Sequence, residues 1–195
     1  MPLSRPRLAA DGRVGAVTGV AGAIALLLTG GVGASVPTPT PTPTDVTIAP
    51  IFATDEEALA AAEVAYDRFL EASAAVTSTG GTDLSPLNGI AIGAAQDAQL
   101  ESAAAYVEDN LHSTGRREFT TYRLQSNEAD MARGAIVTLY VCDDLRGLDV
   151  VDANGVSVVS PDRVVDVPYR VVVEGQAESL KVSEKELWER DNFCA

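Results

Sequence analysis

The sequence predicts an α+β protein: N-terminal helices packed on a curved antiparallel sheet, preceded by a signal or anchor helix and a Pro-Thr linker. Three observations carry that expectation. Apolar residues recur at helical spacing between residues 54 and 113. From residue 117 onward the period drops towards two, with Val-rich runs separated by turn residues. A basic-apolar leader and a strict proline repeat stand ahead of both. Helices first and strands afterwards imply α+β rather than alternating β-α-β units.

Residues 1–35 form the first segment. Arg5, Arg7 and Arg13 precede an uncharged stretch from Val14 to Leu28, which gives way to Thr29-Gly30-Gly31-Val32-Gly33-Ala34-Ser35. A basic region, an apolar core and a small-residue exit make a signal peptide. The uncharged span to Val36 is also long enough to stay as a membrane anchor. Residues 36–53 form the linker, whose core is Pro37-Thr38-Pro39-Thr40-Pro41-Thr42-Pro43-Thr44. Alternate prolines fix φ and remove donors, so an extended polyproline spacer of about 25 Å is expected, at about 3.1 Å per residue.

The folded domain is expected over 54–195. Thr54-Asp55-Glu56-Glu57 has the spacing of a capping box. Leu59, Ala62, Tyr66, Phe69, Leu70, Ser73 and Val76 share one helical arc, with Glu56, Glu63, Asp67 and Glu71 beside it, and Gly80-Gly81 ends the helix. A second helix is predicted from about Ala94 to Ser113. Its apolar stripe is Leu100, Ala103, Ala104, Val107 and Leu111, its stop is Gly115, and His112 occupies its last turn, where a cation suits the helix dipole. Strands follow at 119–124 and at Ala135–Cys142, the latter apolar on both faces. Asn154-Gly155 signals a hairpin between Val150-Val151 and Val156–Val159. Val165, Val167, Tyr169, Val171 and Val173 alternate with polar residues, and Pro168 among them suggests an edge or a bulge. A last strand runs from about Gln176 to Leu187.

Charge excludes several functions. The chain has a net charge of -14. Without the first 35 residues, which hold three arginines and Asp11, the remainder carries 11 basic and 27 acidic side chains. Such a surface repels phosphate backbones, so nucleic acid is not an expected partner. A membrane is expected to be touched only through the N-terminal segment, and only if that segment is retained. His112 is the only histidine and no CxxC pair exists, so no metal site and no cofactor are expected. Asp143, Asp144, Asp149 and Asp152 form an acidic stretch without calcium-loop spacing and are expected to be solvated loop residues. Cys142 and Cys194 are the two cysteines. In the oxidising surroundings that follow export they are expected to pair, the alternative being a reactive thiol pair.

The sequence Val137-Thr138-Leu139-Tyr140-Val141-Cys142-Asp143, the turn Asp152-Ala153-Asn154-Gly155, Trp188, and Asn192-Phe193-Cys194 carry a resemblance. With two helices followed by four or more long strands, the region 54–195 resembles the nuclear-transport-factor-two-like, or cystatin-like, cone. It is most similar in layout to exported actinobacterial proteins that join a leader, a Pro/Thr/Ser tether and such a cone. Many of those have a lipid-attachment cysteine after the leader, which this chain lacks. The resemblance implies a cone fold. It implies no single activity, since cones include polyketide cyclases, ketosteroid isomerases and many non-enzymes.

Enzymes on such a cone use a pocket carboxylate or histidine, often with a tyrosine. The pocket candidates here are Tyr66, Asp67, Tyr122, Tyr140 and His112, with Asp67 on the wet arc and Tyr66 and Tyr140 facing the core. Their spacing compels no chemistry, and no catalytic residue is designated. The expected function is a non-enzymatic extracytoplasmic binding or assembly module of the cell envelope, secreted or membrane-anchored and displayed on the Pro-Thr stalk. Its expected partner is an apolar small molecule or an envelope protein. The alternative is a small extracytoplasmic isomerase, dehydratase or cyclase with a pocket carboxylate.

Overall fold

The computed structural model describes residues 48–194. The leader expected over 1–35 and most of the Pro-Thr linker lie outside the described residues. The described chain forms helix α1 (Asp55–Ser78), a 3-10 turn (Ser85–Leu87), helix α2 (Gly93–Glu108) and six strands. These are β1 (His112–Gly115), β2 (Glu118–Asp130), β3 (Gly134–Asp144), β4 (Leu148–Val151), β5 (Asp166–Gly175) and β6 (Lys181–Leu187). Two helices on antiparallel sheets make the architecture α+β. Instead of one sheet there are two: a four-stranded meander ordered β2-β3-β5-β6 and a two-stranded pair β1-β4.

α1 begins and ends as its sequence dictates. The Thr54 hydroxyl accepts from the Glu57 N–H at 3.2 Å, and the Glu57 carboxylate accepts from the Ala53 N–H at 3.1 Å. At the other end Gly80 (φ 66°) is left-handed, and the N–H groups of Gly80 and Gly81 return to the carbonyls of Thr77 and Val76. A Cβ on Gly81 would lie 2.1 Å from the Ala103 carbonyl oxygen, so this close approach of α2 requires glycine. Tyr66, Phe69, Leu70 and Val76 are fully buried on the inward arc. Each contributes about 2–3 kcal/mol by removing its apolar surface from water. Phe52, ahead of the helix, joins the same core.

α2 departs from expectation. It stops at Glu108, because Asn110 adopts φ 51° and the N–H groups of Asn110 and Leu111 cap the carbonyls of Val107 and Tyr106. His112 therefore opens β1 instead of sitting in a helical last turn. The predicted stripe is not a core stripe either. Only Ala95 and Ala103 are buried, while Leu100 and Val107 are 40% and 53% exposed. The cause is docking along the sheet edge: Ile92 N–H donates to Val182 O, and Val182 N–H donates to Ile90 O. α2 thereby leans on β6, and Ala103 packs with Ala72, Val76 and Leu87 of the α1 side.

β3 is central and buried along nearly its whole length, as its doubly apolar sequence predicts. Its inward row is Ala135, Val137, Leu139, Val141 and Asp143. Its outward row is Ile136, Thr138, Tyr140, Cys142 and Asp144. β5 is interior, so Pro168 does not mark an edge strand. Its carbonyl accepts from Trp188 N–H, just beyond the last residue of β6, so the missing proline N–H points past the end of the neighbouring strand. The Asn154-Gly155 turn forms, with Gly155 at φ 76° and Asp152 accepting from the N–H groups of Asn154 and Val156. It yields only a single bridge, Val151 to Ser157, because β4 pairs with β1.

Candidate functional site

A charged cluster is buried at one end of the inward face, where α1 crosses the sheet. Asp143 is fully buried, in contrast to the solvated loop residue expected from the acidic stretch. The two-residue alternation of β3 carries it inward behind Val141. Its Oδ1 accepts from the Tyr66 hydroxyl at 2.7 Å, and its Oδ2 accepts from Lys185 Nζ at 2.7 Å. Arg117 Nη1 stands 3.8 Å from the same Oδ2. Lys185, 9% exposed, lies over the Tyr169 ring at 3.8 Å, and Phe119 meets Tyr66 edge-on at 4.8 Å. One carboxylate thus faces two cations, with tyrosines and a phenylalanine as walls.

The environment moves these groups off their ordinary values. Burial, then the Asp143 charge and hydrogen bond, push the Tyr66 phenol well above 10. Burial, with the neighbouring Arg117 charge, lowers the Lys185 amine to about 8 against the pull of Asp143. Burial raises Tyr169 as well. Each carboxylate oxygen of Asp143 accepts one hydrogen bond from a buried donor, Oδ1 from the Tyr66 hydroxyl and Oδ2 from Lys185.

The other residues singled out by sequence are scattered. Asp67 is half-exposed and pairs with Arg116 at 3.0 Å; Arg116 also reaches Glu71 at 3.2 Å. His112 pairs with Val151 in the small sheet. Tyr140 and Tyr122 belong to the opposite, outward face. There Tyr122 stacks on Phe193 with ring centroids 4.7 Å apart, and Tyr140 meets Trp188 edge-on at 5.0 Å. Of the five pocket candidates, only Tyr66 touches the buried cluster. Asp143, Lys185, Arg117 and Tyr169 were not among them.

Cys142 and Cys194 are joined, with Cα atoms 5.5 Å apart across 52 residues of chain. A closed loop of that length stabilises the fold by about 4 kcal/mol in the chain-entropy model. The bond draws residues 188–194 across the outward face. Phe193, held there, stacks on Tyr122 and meets Tyr140 at 5.8 Å. A cleft of about 480 Å³ opens beside it, lined by Tyr122, Phe193, Phe119 and the disulfide. Among the described residues no three His, Cys, Asp or Glu side chains gather as a metal site, and no helix is long and apolar enough to cross a membrane.

No protein-family model matches the chain. No curated protein matches it either. Among solved structures it is similar to the intermembrane space region of the chloroplast protein ARC6, at 16% identity and a TM-score of 0.40, over 65% of this chain and 92% of that one.

Proposed function

We propose that the domain is a non-enzymatic binding or assembly module of the cell envelope, working outside the cytoplasm and held on its Pro-Thr stalk. The observation that carries this reading is the disulfide-pinned aromatic strap. Tyr122 is 55% exposed, Phe193 and Trp188 are partly exposed, and the three lie together on the outward face next to a cleft. Aromatic side chains grouped at a rigid surface are the usual anchors of protein partners. An oxidising compartment suits the cross-link that holds them. The inward face offers less to a substrate, because Asp143 is locked between Tyr66 and Lys185.

The second reading, a small isomerase, dehydratase or cyclase, draws on one observation: a buried carboxylate next to an amine lowered to about 8. It requires an open cavity reaching Asp143, whereas the cleft of about 480 Å³ has other lining residues.

Photo-crosslinking in intact cells separates these. A photoreactive amino acid replacing Tyr122 is expected to give one discrete protein adduct, and the same group replacing Val64 on α1 is expected to give none. Equal labelling from both positions, or none from Tyr122, sinks the docking role of the strap.

A further inference from the structure

The cleft of about 480 Å³ on the outward face has two unlike walls. One is aromatic: Tyr122 and Phe193 stack with centroids 4.7 Å apart, and the Cys142–Cys194 bond pins Phe193 in place. The other is anionic. Strand register sets Glu118 opposite Asp144, and Asp144 opposite Asp166. One carboxylate from each of β2, β3 and β5 therefore stands in a single cross-strand row, and all three line the cleft. Side chains directly opposite on paired strands lie about 5 Å apart at Cβ, where like charges repel. Their side chains are 71%, 40% and 39% exposed, so the row is open to a partner.

The chain's own arginines show which cation suits these walls. Arg146 spans Asp144 and Asp166, at 2.9 and 2.5 Å. Arg123 lies over the Tyr140 ring at 5.0 Å, and Arg190 lies over Trp188 at 5.2 Å. The carboxylate row and the aromatic strap thus each hold a guanidinium already, one by its fork and the other by its flat face. The supply of cations is short, however. Arg116 is shared by Asp67, Glu71 and Glu118, and Arg146 by Asp144 and Asp166, so five carboxylates divide two guanidinium groups. The excess of negative charge at the cleft has the sign of the whole chain, whose net charge of -14 draws basic partners from a distance.

We propose that this cleft receives an arginine side chain presented by a protein partner. The arginine stem lies across Tyr122 and Phe193, and its fork meets the carboxylate row in a charge-assisted pair. A neutral or acidic side chain gains nothing from the row, so the cleft selects partners by charge as well as by aromatic contact. The inference rests on the docking role proposed for the strap and names the chemistry of what docks there.

The test has two readouts. In the first, the full chain, in detergent if the leader is retained, is titrated with the peptide acetyl-Gly-Arg-Gly-amide to about 20 mM at low ionic strength, the range one charge-assisted pair supports. Backbone amide shifts are followed by NMR, and saturable shifts at residues 118, 122, 144 and 193 are expected. The same peptide with citrulline, which keeps the shape and loses the charge, is expected not to saturate. Glu118→Lys sets a cation in the row and is expected to weaken binding about tenfold or more. Glu118→Gln is expected to weaken it several-fold and serves if Glu118→Lys does not fold. In the second readout, the adduct formed in cells from a photoreactive group at position 122 is expected to fall about tenfold with Glu118→Lys. It is expected to persist with Glu101→Lys, which changes net charge equally at an exposed site on α2. Equal binding of the citrulline peptide, no saturable binding of the arginine peptide, or an adduct indifferent to Glu118→Lys would each overturn arginine as the occupant while leaving the strap a docking surface. No adduct from position 122 in the parent would overturn the docking role itself, and this inference with it.

Discussion

The two faces of the four-stranded sheet handle charge in opposite ways. On the inward face a single carboxylate, Asp143, is fully buried and has two cations and a phenol around it. On the outward face Arg170 lies in an open ladder, 2.9 Å from Glu184 and 3.1 Å from Glu186, whose side chains are 43% and 64% exposed. Similar ionic groups on adjacent strands therefore sit in very different dielectric surroundings. Inside, each group depends on its partner, because water cannot replace it. Outside, water screens the attraction and substitutes for any lost partner. The outward face is organised instead by covalent chemistry: the Cys142–Cys194 bond and the aromatic strap it holds down.

Removal of Asp143 gives the largest effect expected. Asp143→Leu leaves Lys185 and Arg117 facing each other in the interior and takes the acceptor from the Tyr66 hydroxyl. The loss in urea unfolding free energy is expected to be about 3–5 kcal/mol, the range for breaking a buried pair. Adding Lys185→Met should return most of it, because an apolar pair has no charge to desolvate. A cost below about 1 kcal/mol for Asp143→Leu alone would place the cluster on the same footing as the surface ladder and end the contrast.

Much of this frame was legible in the sequence, and the exceptions have specific causes. The Thr54 cap, the buried arc through Tyr66 and Phe69 and the run of β3 follow from local chemistry and periodicity, and all appear. Asp143 was hidden because two aspartates after an apolar run look like a strand exit. The available signal was parity: Asp143 is two residues after Val141, and an inward Tyr66 needs an acceptor. Lys185 had no such signal. Counting by twos from Leu180 and Val182 puts Glu184 inward, but an irregularity in the pairing of β6 with β5 after Val182 flips the parity and turns Lys185 in. Asn110, with a left-handed backbone, ended α2 five residues before Gly115 could. Bulges and left-handed non-glycine residues are tertiary decisions, and hydropathy patterns do not encode them.

An intermediate effect should appear when pH is used in place of mutation. The folded Lys185 amine titrates at about 8 and the unfolded one at 10.5. Between those values the unfolded chain binds a proton that the folded chain does not, so stability should rise with pH through this window. Tyr66, raised above 10, acts in the other direction at higher pH, where the folded chain keeps a proton that the unfolded one loses. Tyr169 adds to that fall. The groups facing Lys185 are Asp143, Arg117, Tyr66 and Tyr169, and Arg117 keeps Asp143 compensated when the amine is neutral. Stability measured by guanidinium unfolding is expected to gain about 2 kcal/mol from pH 8 to 10 in the parent, relative to Lys185→Met. Parallel pH profiles for the two proteins would show that Lys185 is as free of its surroundings as an outward-face lysine.

The smallest effect is assigned to the outward ladder, and its smallness is the informative part. Arg170→Gln removes the bond to Glu184 and the bond to Glu186 at once, yet it leaves two carboxylates that water reaches. The expected loss is below about 1 kcal/mol, shrinking further in about 0.5 M salt as the field is screened. The comparison with Asp143→Leu is direct, because Arg170 and Asp143 lie on neighbouring strands of one sheet. If Arg170→Gln instead cost as much as Asp143→Leu and ignored salt, the outward face would have to be dry in the working protein. A partner seated on that face would dry it, so the same measurement repeated in the presence of whatever Tyr122 crosslinks to should raise the cost. With no partner present, water keeps the ladder weak, and stability resides in the core, the buried cluster and the cross-link.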